Sequence, residues 1–387
     1  MRMQCWKCLK TSFCFLLLSV LFSADAHAQE KKPDAWYPRT EKLGPDEMFV
    51  VALGTGMPTP ITRAQKSSGW YVELGNGDKF LFDVGSGSME NLFALRPDFA
   101  TVDKAFLSHL HTDHVGDVEG LWVGGWLSGR YEPLHIYGPS GSEPRLGTAA
   151  FVEGLKVAYA WDIEGRAGTL PDRGGMLVAH EFDYRQENGI VYEKNGVTIR
   201  SFPAVHSIDG SVSYRLDWNG LSFVFGGDSY PNKWFVEYAK GADFVVHECF
   251  YGPEDLENYL GFPPRQAVQV SSYIHTPPGG FGKLMAEIKP RLAVGYHSIL
   301  VPEMVQSMSD AIREVYDGPL VLADDLMAWN ITKDSIQQRE VVSAERVQPP
   351  PTTKGYLTAP RSGEASYSDF IIGGKWDGYT PPPLPEQ

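Results

Sequence analysis

Residues 106–114 read FLSHLHTDH and hold three histidines and one aspartate within their last six positions. Burying such polar rings without partners costs on the order of 1–3 kcal/mol each, and metal ligation removes that cost. Imidazole and carboxylate ligands suit zinc, and also iron or manganese. The stretch therefore predicts a metal site, with solvated loop histidines as the alternative. Its candidate ligands are His109, His111, Asp113 and His114.

The surrounding pattern indicates how one short loop serves two cations. The apolar run 105–107 predicts a strand, and His109 and His111 alternate after it, so that both face the same way. A helix is predicted over 115–127, and the aspartate and histidine just before it are expected to point to a second position. The loop thus predicts two neighbouring metal ions.

This His-x-His-x-Asp-His pattern resembles the metallo-β-lactamase superfamily of binuclear hydrolases. From about residue 50 to residue 331 the chain is similar to the ribonuclease Z-like branch, including GDKFLFDVGSGS (77–88) and WNGLSFVFGGD (218–228). The loop GTGMPTP (54–60) resembles the loop that lies under the metal site in that branch. The resemblance implies an α/β fold, the four-layer αβ/βα sandwich of the metallo-β-lactamase fold.

The resemblance also implies a ligand set for two Zn²⁺ ions, with Mn²⁺ or Fe²⁺ as alternatives. Two adjacent cations can clamp the attacking and leaving oxygens and make a bridging hydroxide near neutral pH. By resemblance, the first metal takes His109, His111 and His206, the second takes Asp113, His114 and His297, and Asp228 bridges them.

Further residues are expected to take part in the chemistry. Asp113 is expected to orient or accept the proton of the attacking water. His275 resembles the ribonuclease Z histidine that donates a proton to the leaving group; a structural histidine is the alternative. His247 and Glu248 resemble a His-Glu motif near that site, and Glu248 is expected to orient a histidine through its second ring nitrogen. Asp83 is expected either to buttress the metal loop or to cap the following helix.

Local composition divides the 387 residues into segments of different length and character. This length suits one large domain or two small ones, and a single α/β domain with insertions is expected. The predicted parts are a signal peptide (1–28), a lead-in (29–46), the hydrolase domain (47–340) with an insertion around 142–190, and a Pro/Gly/Ser-rich tail (341–387).

The first 28 residues predict export. Three basic residues precede the apolar run 13–22 (FCFLLLSVLF), and a small-x-small site ends at Ala28. This is a secretory signal peptide pattern, with an uncleaved anchor as the alternative, and it predicts a periplasmic or secreted protein cleaved after Ala28. No stable membrane insertion is expected after cleavage. Cleavage leaves Cys249 as the one cysteine, and its apolar surroundings predict a core residue.

Charge bears on the partner. The formal net charge is −14, and residues 1–28 contribute a net +2, which leaves −16 on the remainder. Such a surface disfavours RNA without excluding it. The 21 residues between His206 and Asp228 also leave no room for the tRNA-gripping arm of ribonuclease Z. A homo-oligomer is left open.

Three functions are therefore open. The motif set favours a phosphodiesterase of the ribonuclease Z kind. An exported β-lactamase or lactonase would use the same site on a carbonyl substrate. A non-catalytic binding protein is the third candidate, and the complete ligand set argues against it. Core packing or a substrate pocket is expected for Trp122, Trp126 and Trp161, with core packing favoured.

Overall fold

A computed structural model describes residues 31–58, 63, 65–343, 367–375, 378 and 380–383. The predicted signal peptide lies outside these residues, as do two residues of the opening loop (59 and 60) and most of the predicted tail. The fold described below is that of the unit beginning at Pro33. None of the helices in the described ranges combines the length and the apolar character that crossing a bilayer requires.

Strands account for most of the buried backbone. Period-2 and fully apolar runs bounded by Gly, Asn and Asp turns explain where they begin and end. In the described part of the chain they are β1 (Ala35–Trp36), β2 (Met48–Gly54), β3 (Gly69–Leu74), β4 (Lys79–Val84), β5 (Lys104–Phe106), β6 (Leu134–Pro139), β7 (Leu177–Phe182), β8 (Gly189–Lys194), β9 (Val197–Pro203), β10 (Val212–Trp218), β11 (Leu221–Phe225), β12 (Phe244–Glu248), β13 (Leu292–Tyr296), β14 (Leu320–Leu322), β15 (Met327–Ile331) and β16 (Ile336–Val341).

The strands form two mixed sheets. The first has the order β1-β16-β15-β2-β3-β4-β5-β6-β7, and the second has the order β14-β13-β12-β11-β10-β9-β8. In each sheet, antiparallel neighbours lead into a run of parallel strands, β4 to β7 in the first and β11 to β14 in the second. Each sheet therefore has one edge at which the carboxyl ends of parallel strands meet.

The helices connect these strands. In the described ranges they are α1 (Ser88–Leu95), α2 (Thr112–Val115), α3 (Gly125–Leu127), α4 (Thr148–Ala158), α5 (Ala160–Glu164), α6 (Lys233–Tyr238), α7 (Pro253–Leu260), α8 (Pro264–Gln269), α9 (Pro278–Ile288), α10 (Pro302–Arg313) and α11 (Asp369–Ile372), with 3₁₀ turns at Phe99–Thr101, Pro144–Leu146 and Asp172–Gly175 and π-helical turns at Gly120–Gly124 and Val270–Ile274.

Three apolar clusters define four layers. A central cluster joins the facing sides of the two sheets through rings such as Phe82 on β4 and Phe223 on β11. A second cluster packs α1 and α4 on the outer side of the first sheet. A third packs α6, α9 and α10 on the outer side of the second sheet. This helix–sheet–sheet–helix arrangement confirms the predicted four-layer αβ/βα sandwich.

The predicted helix over 115–127 forms, but it is not a regular α-helix. The chain makes α2, then a π-helical turn at Gly120–Gly124, and then the short α3. Glycine costs about 1 kcal/mol relative to alanine in a helix, and this segment holds four glycines. Two large rings in this segment, Trp122 and Trp126, are both buried. These two residues are four positions apart and therefore share one face of the segment.

The segment around 142–190, predicted as an insertion, contains α4 and α5 and also β7, which pairs in parallel with β6. This strand was not predicted. Trp122 and Trp126 are buried and donate to the carbonyls of Gly175 and Pro171, which confirms core packing for both. Trp161 is 85 % exposed, so neither core packing nor a closed pocket describes it.

A substitution at Phe82 tests whether the two sheets share one apolar core. Its ring lies 5.0 Å from that of Phe223 and within 6 Å of those of Phe106, Tyr214 and Phe225, so it contacts both sheets. Replacing Phe82 with alanine is expected to lower the free energy of unfolding by about 3–5 kcal/mol, because it leaves a cavity. Denaturant titration measures this, and Phe370→Ala at an 87 % exposed position is the control. A loss below about 1 kcal/mol would contradict a continuous core between the sheets.

Candidate metal centre

The candidate ligands lie on loops at the carboxyl ends of the parallel strands. The strand β5 ends at Phe106, just before the histidine-rich loop, and β11 ends at Phe225, three residues before Asp228. The strand β13 ends at Tyr296, and His297 is the next residue. Carboxyl ends of parallel strands collect at one edge of a sheet, so residues distant in sequence meet there.

The first group of potential ligands is His109, His111 and His206. Nε2 of His109 and Nε2 of His206 lie 3.0 Å and 3.3 Å from Nδ1 of His111. Nδ1 of His206 lies 3.3 Å from the carbonyl oxygen of Ile274, which turns Nε2 toward the group. Burial lowers the pKa of His109 and lowers that of His206 to about 4. Both rings are therefore neutral near pH 7, the form that ligates metals.

The second group is fully buried and consists of Asp113, His114, Asp228 and His297. Nε2 of His297 lies 3.1 Å from Oδ2 of Asp113 and 3.2 Å from Oδ2 of Asp228. Nε2 of His114 lies 3.3 Å from both carboxylates. Oδ2 of Asp228 is also 3.8 Å from Nε2 of His206 in the first group. Asp228 thus reaches both groups, as a bridging carboxylate would.

The residues present fit metal ions. Nε2 of His114 and Oδ1 of Asp228 are buried and face each other, yet neither has a hydrogen-bond partner among the described residues. Burial lowers the pKa of His114, but the carboxylates of Asp228 and Asp113 outweigh that effect and raise it well above its ordinary value. The site therefore has a strong negative field and unsatisfied ligand atoms, and cations would satisfy both.

A buried aspartate supports this loop from behind. Oδ2 of Asp83 lies 2.6 Å from Nδ1 of His114, which leaves Nε2 for the second group. The backbone N–H and the hydroxyl of Ser108 donate to Asp83, each at 2.7 Å. The N-cap of α1 is Gly87, so Asp83 buttresses the loop and does not cap the helix. The loop also lies directly on Gly85, where a Cβ would come 2.0 Å from the carbonyl oxygen of Asp113.

Two of these residues adopt left-handed backbone conformations. The φ angle is +72° at His297 and +56° at Asp83, a region that costs non-glycine residues about 1–2 kcal/mol. The N–H of His297 donates to the carbonyl of Thr55 at 2.8 Å. Asp325 in turn accepts from the N–H and the hydroxyl of Thr55, each at 2.9 Å. The opening loop thereby lies against the second group, as the resemblance implied.

His275 and Glu248 form a pair beside Asp228. Nδ1 of His275 lies 2.7 Å from Oε2 of Glu248 and 3.8 Å from Oδ2 of Asp228. The same Glu248 oxygen lies 3.7 Å from Nδ1 of His297. Burial opposes the charged ring, but Glu248 outweighs it and raises the pKa of His275 to about 9. Glu248 therefore orients His275, whose Nε2 edge is turned away from it, whereas its distance to His297 is too long for a hydrogen bond.

His247 is separate from these groups. Its ring packs against Phe235 and Phe281, its Nδ1 lies 2.8 Å from the carbonyl oxygen of Glu248, and burial lowers its pKa to about 4. A direct catalytic role for His247 is therefore not supported by its position, and it supports the strand that carries Glu248. Cys249 is fully buried and burial raises the pKa of its thiol, as expected of a core residue.

Two neighbours of the site were not predicted from sequence. The ring of Phe250 stacks on that of His275 with centroids 4.4 Å apart. The hydroxyl of Ser108 lies 3.0 Å from Nδ1 of His109 and so turns its Nε2 toward the first group. The position of Ser108, between the strand and the first histidine, was the available signal. No sequence pattern marks Phe250.

A cavity of about 360 Å³ opens beside the first group. Its floor is formed by His109, His111 and His206. Its walls come from the start of α4 and from the loop that follows His206. The apolar lining side chains include Leu110, beside the histidines, and Leu146, Phe151 and Ile208 on the walls.

Adding zinc to the metal-free protein is expected to raise its thermal unfolding temperature. A ligand at 100 times its dissociation constant stabilises the folded state by about 2.7 kcal/mol per site, which corresponds to roughly 5–10 °C in a domain of this size. Scanning calorimetry with Zn²⁺, Mn²⁺ and Fe²⁺ measures the shift, and Mg²⁺ is the control. An unfolding temperature that none of the three metals raises would contradict the candidate centre.

Comparison with known proteins supports this description. Residues 62–229 match the model of the metallo-β-lactamase superfamily. The ribonuclease Z of Mycobacterium avium is 34 % identical over 204 residues, 51 % of this chain and 69 % of that protein. The ribonuclease Z of Mycobacterium marinum is 30 % identical over 231 residues, 58 % of this chain and 77 % of that protein.

Solved structures agree on the fold. The metallo-β-lactamase fold protein YhfI from Bacillus subtilis aligns with a TM-score of 0.56 at 18 % identity and covers 74 % of this chain and 100 % of its own. The short form of human tRNase Z aligns with a TM-score of 0.53 at 18 % identity and covers 72 % of this chain and 98 % of its own. The chain belongs to the metallo-β-lactamase superfamily of metal-dependent hydrolases, on its ribonuclease Z-like branch.

Proposed function

We propose that this protein is a binuclear metal-dependent hydrolase that cleaves a phosphodiester. The observation that carries the proposal is the position of Asp228, which lies within 3.8 Å of Nε2 of His206 in one ligand group and within 3.3 Å of His114 and His297 in the other. Two bound cations would polarise the scissile group and activate a water molecule. Zn²⁺ is the proposed metal, because imidazole and carboxylate ligands suit it.

The remaining residues would handle protons and orientation. His275 is held by Glu248 through Nδ1, so Nε2 is available to give a proton to the leaving oxygen. The carboxylate of Asp113 lies 3.1 Å from Nε2 of His297 and 3.3 Å from that of His114. The neighbouring histidines outweigh its burial and hold its pKa well below the ordinary value. Asp113 is therefore ionised near pH 7 and able to orient a water proton.

A carbonyl substrate, such as a β-lactam or a lactone, is the second candidate. The observation that favours it is the mainly apolar cavity beside His111 and His206, which suits a small molecule. The same residues would serve both chemistries, because a displacement at phosphorus and one at a carbonyl carbon both need an activated water and a stabilised oxyanion.

One side-by-side assay tests the proposed function. The zinc-loaded protein without residues 1–28 is given bis(p-nitrophenyl) phosphate, precursor tRNA, a cephalosporin and a lactone, each with and without a chelator. Chelator-sensitive turnover that is fastest on the phosphodiester supports the first candidate, and turnover fastest on the cephalosporin or lactone replaces it with the second. No chelator-sensitive turnover on any of them would contradict both.

Export is part of the proposal and rests on residues 1–28 alone. Protein recovered from the periplasm or medium is expected to begin at Gln29. N-terminal sequencing of that material decides this, and an uncleaved Met1 in the mature protein would contradict the proposed processing. The oligomeric state is a separate question that gel filtration with light scattering answers.

We also propose that RNA is not the physiological substrate, although the mycobacterial relatives are ribonuclease Z proteins. The net charge of −16 after cleavage repels a polyanion, and the connection from His206 to Asp228 is one β-hairpin, β10–β11. The protein expressed without residues 1–28 is therefore expected not to replace an essential cytoplasmic ribonuclease Z. Growth at low expression would contradict this, and a genuine ribonuclease Z in the same vector is the control.

A further inference from the structure

The cavity beside the first ligand group has a consistent chemical character. Leu146, in the 3₁₀ turn before α4, and Phe151, in the first turn of α4, line this cavity together with Ile208, which is 63 % exposed. Leu110 lies between His109 and His111 at the floor. A concave site lined by several apolar side chains beside a few polar groups is typical of small-molecule binding sites.

The charges around this cavity are already paired. Nε of Arg145 donates to Glu143 at 2.9 Å, and Asp209 accepts from the hydroxyl of Tyr184 at 3.1 Å. The N-terminal end of α4, which could otherwise attract an anion, has the backbone N–H of Ala149 bound to a carboxylate oxygen of Glu181 at 2.7 Å. The lining therefore suits an uncharged group better than a phosphate of a nucleic acid backbone.

The cavity also lies on a defined side of the reacting groups. The ring of His206 stands between those of His111 and His275, at centroid distances of 5.0 Å and 5.1 Å. His111 and His206 line the cavity, whereas His275 does not. If His275 protonates the leaving oxygen, the leaving group lies on its side, and the cavity holds the part of the substrate that stays on the attacked atom.

We propose that this cavity is a subsite for an uncharged apolar substituent on the retained side of the scissile bond. The substrate class is a small ester or lactone whose carbonyl carbon carries an alkyl or aryl group, or a phosphodiester whose phosphorus keeps an alkoxy or aryloxy group. This inference rests on the proposed hydrolase function. Hydrolysis leaves the apolar group on the product carboxylate or phosphate, and the proton from His275 goes to the alcohol that departs.

Two isomeric lactones test the side of the bond. In α-hexyl-γ-butyrolactone the hexyl tail is on the acyl side, and in γ-hexyl-γ-butyrolactone it is on the leaving alcohol. The expected kcat/KM for the α-hexyl isomer is at least about tenfold higher than for the γ-hexyl isomer and for γ-butyrolactone, because burying several methylenes favours it. A second comparison measures kcat/KM for p-nitrophenyl hexyl phosphate and p-nitrophenyl methyl phosphate. It shows whether the preference for a retained hexyl group, measured on a carbonyl carbon with the lactones, also holds on phosphorus.

Two single substitutions test whether the cavity causes the preference for the α-hexyl lactone. Ile208→Asp is expected to reduce the preference for the α-hexyl lactone over γ-butyrolactone to about one. Val157→Asp, at an 80 % exposed position on α4 outside the cavity, is expected to keep the preference. Both positions are on the surface, and circular dichroism checks that both variants fold. An unchanged preference in Ile208→Asp would overturn the proposal.

Binding of the lactone to the metal-free protein tests the subsite independently of the proposed hydrolase function. Saturation-transfer NMR is expected to show contact with the hexyl tail of the α-hexyl lactone in the original chain and in Val157→Asp, and not in Ile208→Asp. Tail binding without hydrolysis of any substrate would overturn the hydrolase function and support the subsite. Hydrolysis with no tail preference and no tail binding, or precursor tRNA cut faster than every small substrate, would overturn the subsite.

Discussion

Asp228→Ala is expected to lower hydrolysis by a factor on the order of 10³ or more. Among the residues that the structure describes, Asp228 is the carboxylate that reaches both ligand groups, and it also lies 3.8 Å from Nδ1 of His275. Without it, neither group keeps its shared oxygen ligand. We therefore expect both the rate and the bound metal to fall, the latter from two ions per chain to fewer than two. Elemental analysis and initial rates measure these together.

Matched variants make the Asp228 result specific. Asp228→Asn keeps the shape of the side chain but not its charge, and is expected to lose nearly as much activity. Asp183→Ala removes an exposed carboxylate that pairs only with the exposed Arg185, and is expected to change neither rate nor metal content. Full activity with two bound metals in Asp228→Ala would show that the two groups do not act as one centre.

His275→Ala is expected to slow hydrolysis of poor leaving groups by roughly 10²–10⁴-fold and to affect activated ones much less. Proton donation matters most when the leaving oxygen is basic, and Nε2 of His275 is the available donor beside Asp228. The measurement is kcat/KM for a series of phosphodiesters whose leaving groups span several pKa units. Equal losses across the series would contradict a role as general acid.

A different role for His275 is also distinguishable. Asp228, Glu248, His275 and His297 lie close enough together to hold a metal themselves. If His275 were a ligand, His275→Ala would lose metal as well as activity, whereas a proton donor leaves the metal content at two. Glu248→Gln provides the comparison: because Glu248 orients His275, we expect a smaller loss of about 10–100-fold with the same dependence on the leaving group.

Most strand positions follow from local sequence. The Asn219-Gly220 and Asn195-Gly196 turns set the register of two hairpins, β10–β11 and β8–β9, because Asn-Gly readily adopts the positive φ angles that such turns require. Polar residues placed just after apolar runs indicated which strand ends meet at the site. The seven predicted ligands are brought together for the same reason, although their roles as ligands stay predictions.

The features that were not predicted depend on tertiary contacts. The strand β16 carries four consecutive polar residues (337–340) and is stabilised by Arg339, which is buried and donates to the carbonyls of Pro33 and Ala35. Nothing local to 336–341 indicates that pairing. Two features of the site arise where segments far apart in sequence meet. They are the position of Glu248 beside His275 and His297, and the cavity beside the first group. No local sequence pattern predicts either feature.

The left-handed backbone at His297 and at Asp83 has a consequence for how this chain would change under selection. Each residue costs the folded state about 1–2 kcal/mol that a glycine at the same place would not. At Asp83 the hydrogen bonds to Ser108 and His114 offset this cost, because a glycine there would leave buried donors unpaired. A library screened only for heat resistance should therefore accumulate replacements at His297 and not at Asp83, and the His297 variants recovered would be more stable and inactive. Screening for turnover and heat resistance together should instead retain both residues and direct the stabilising changes to the outer helices.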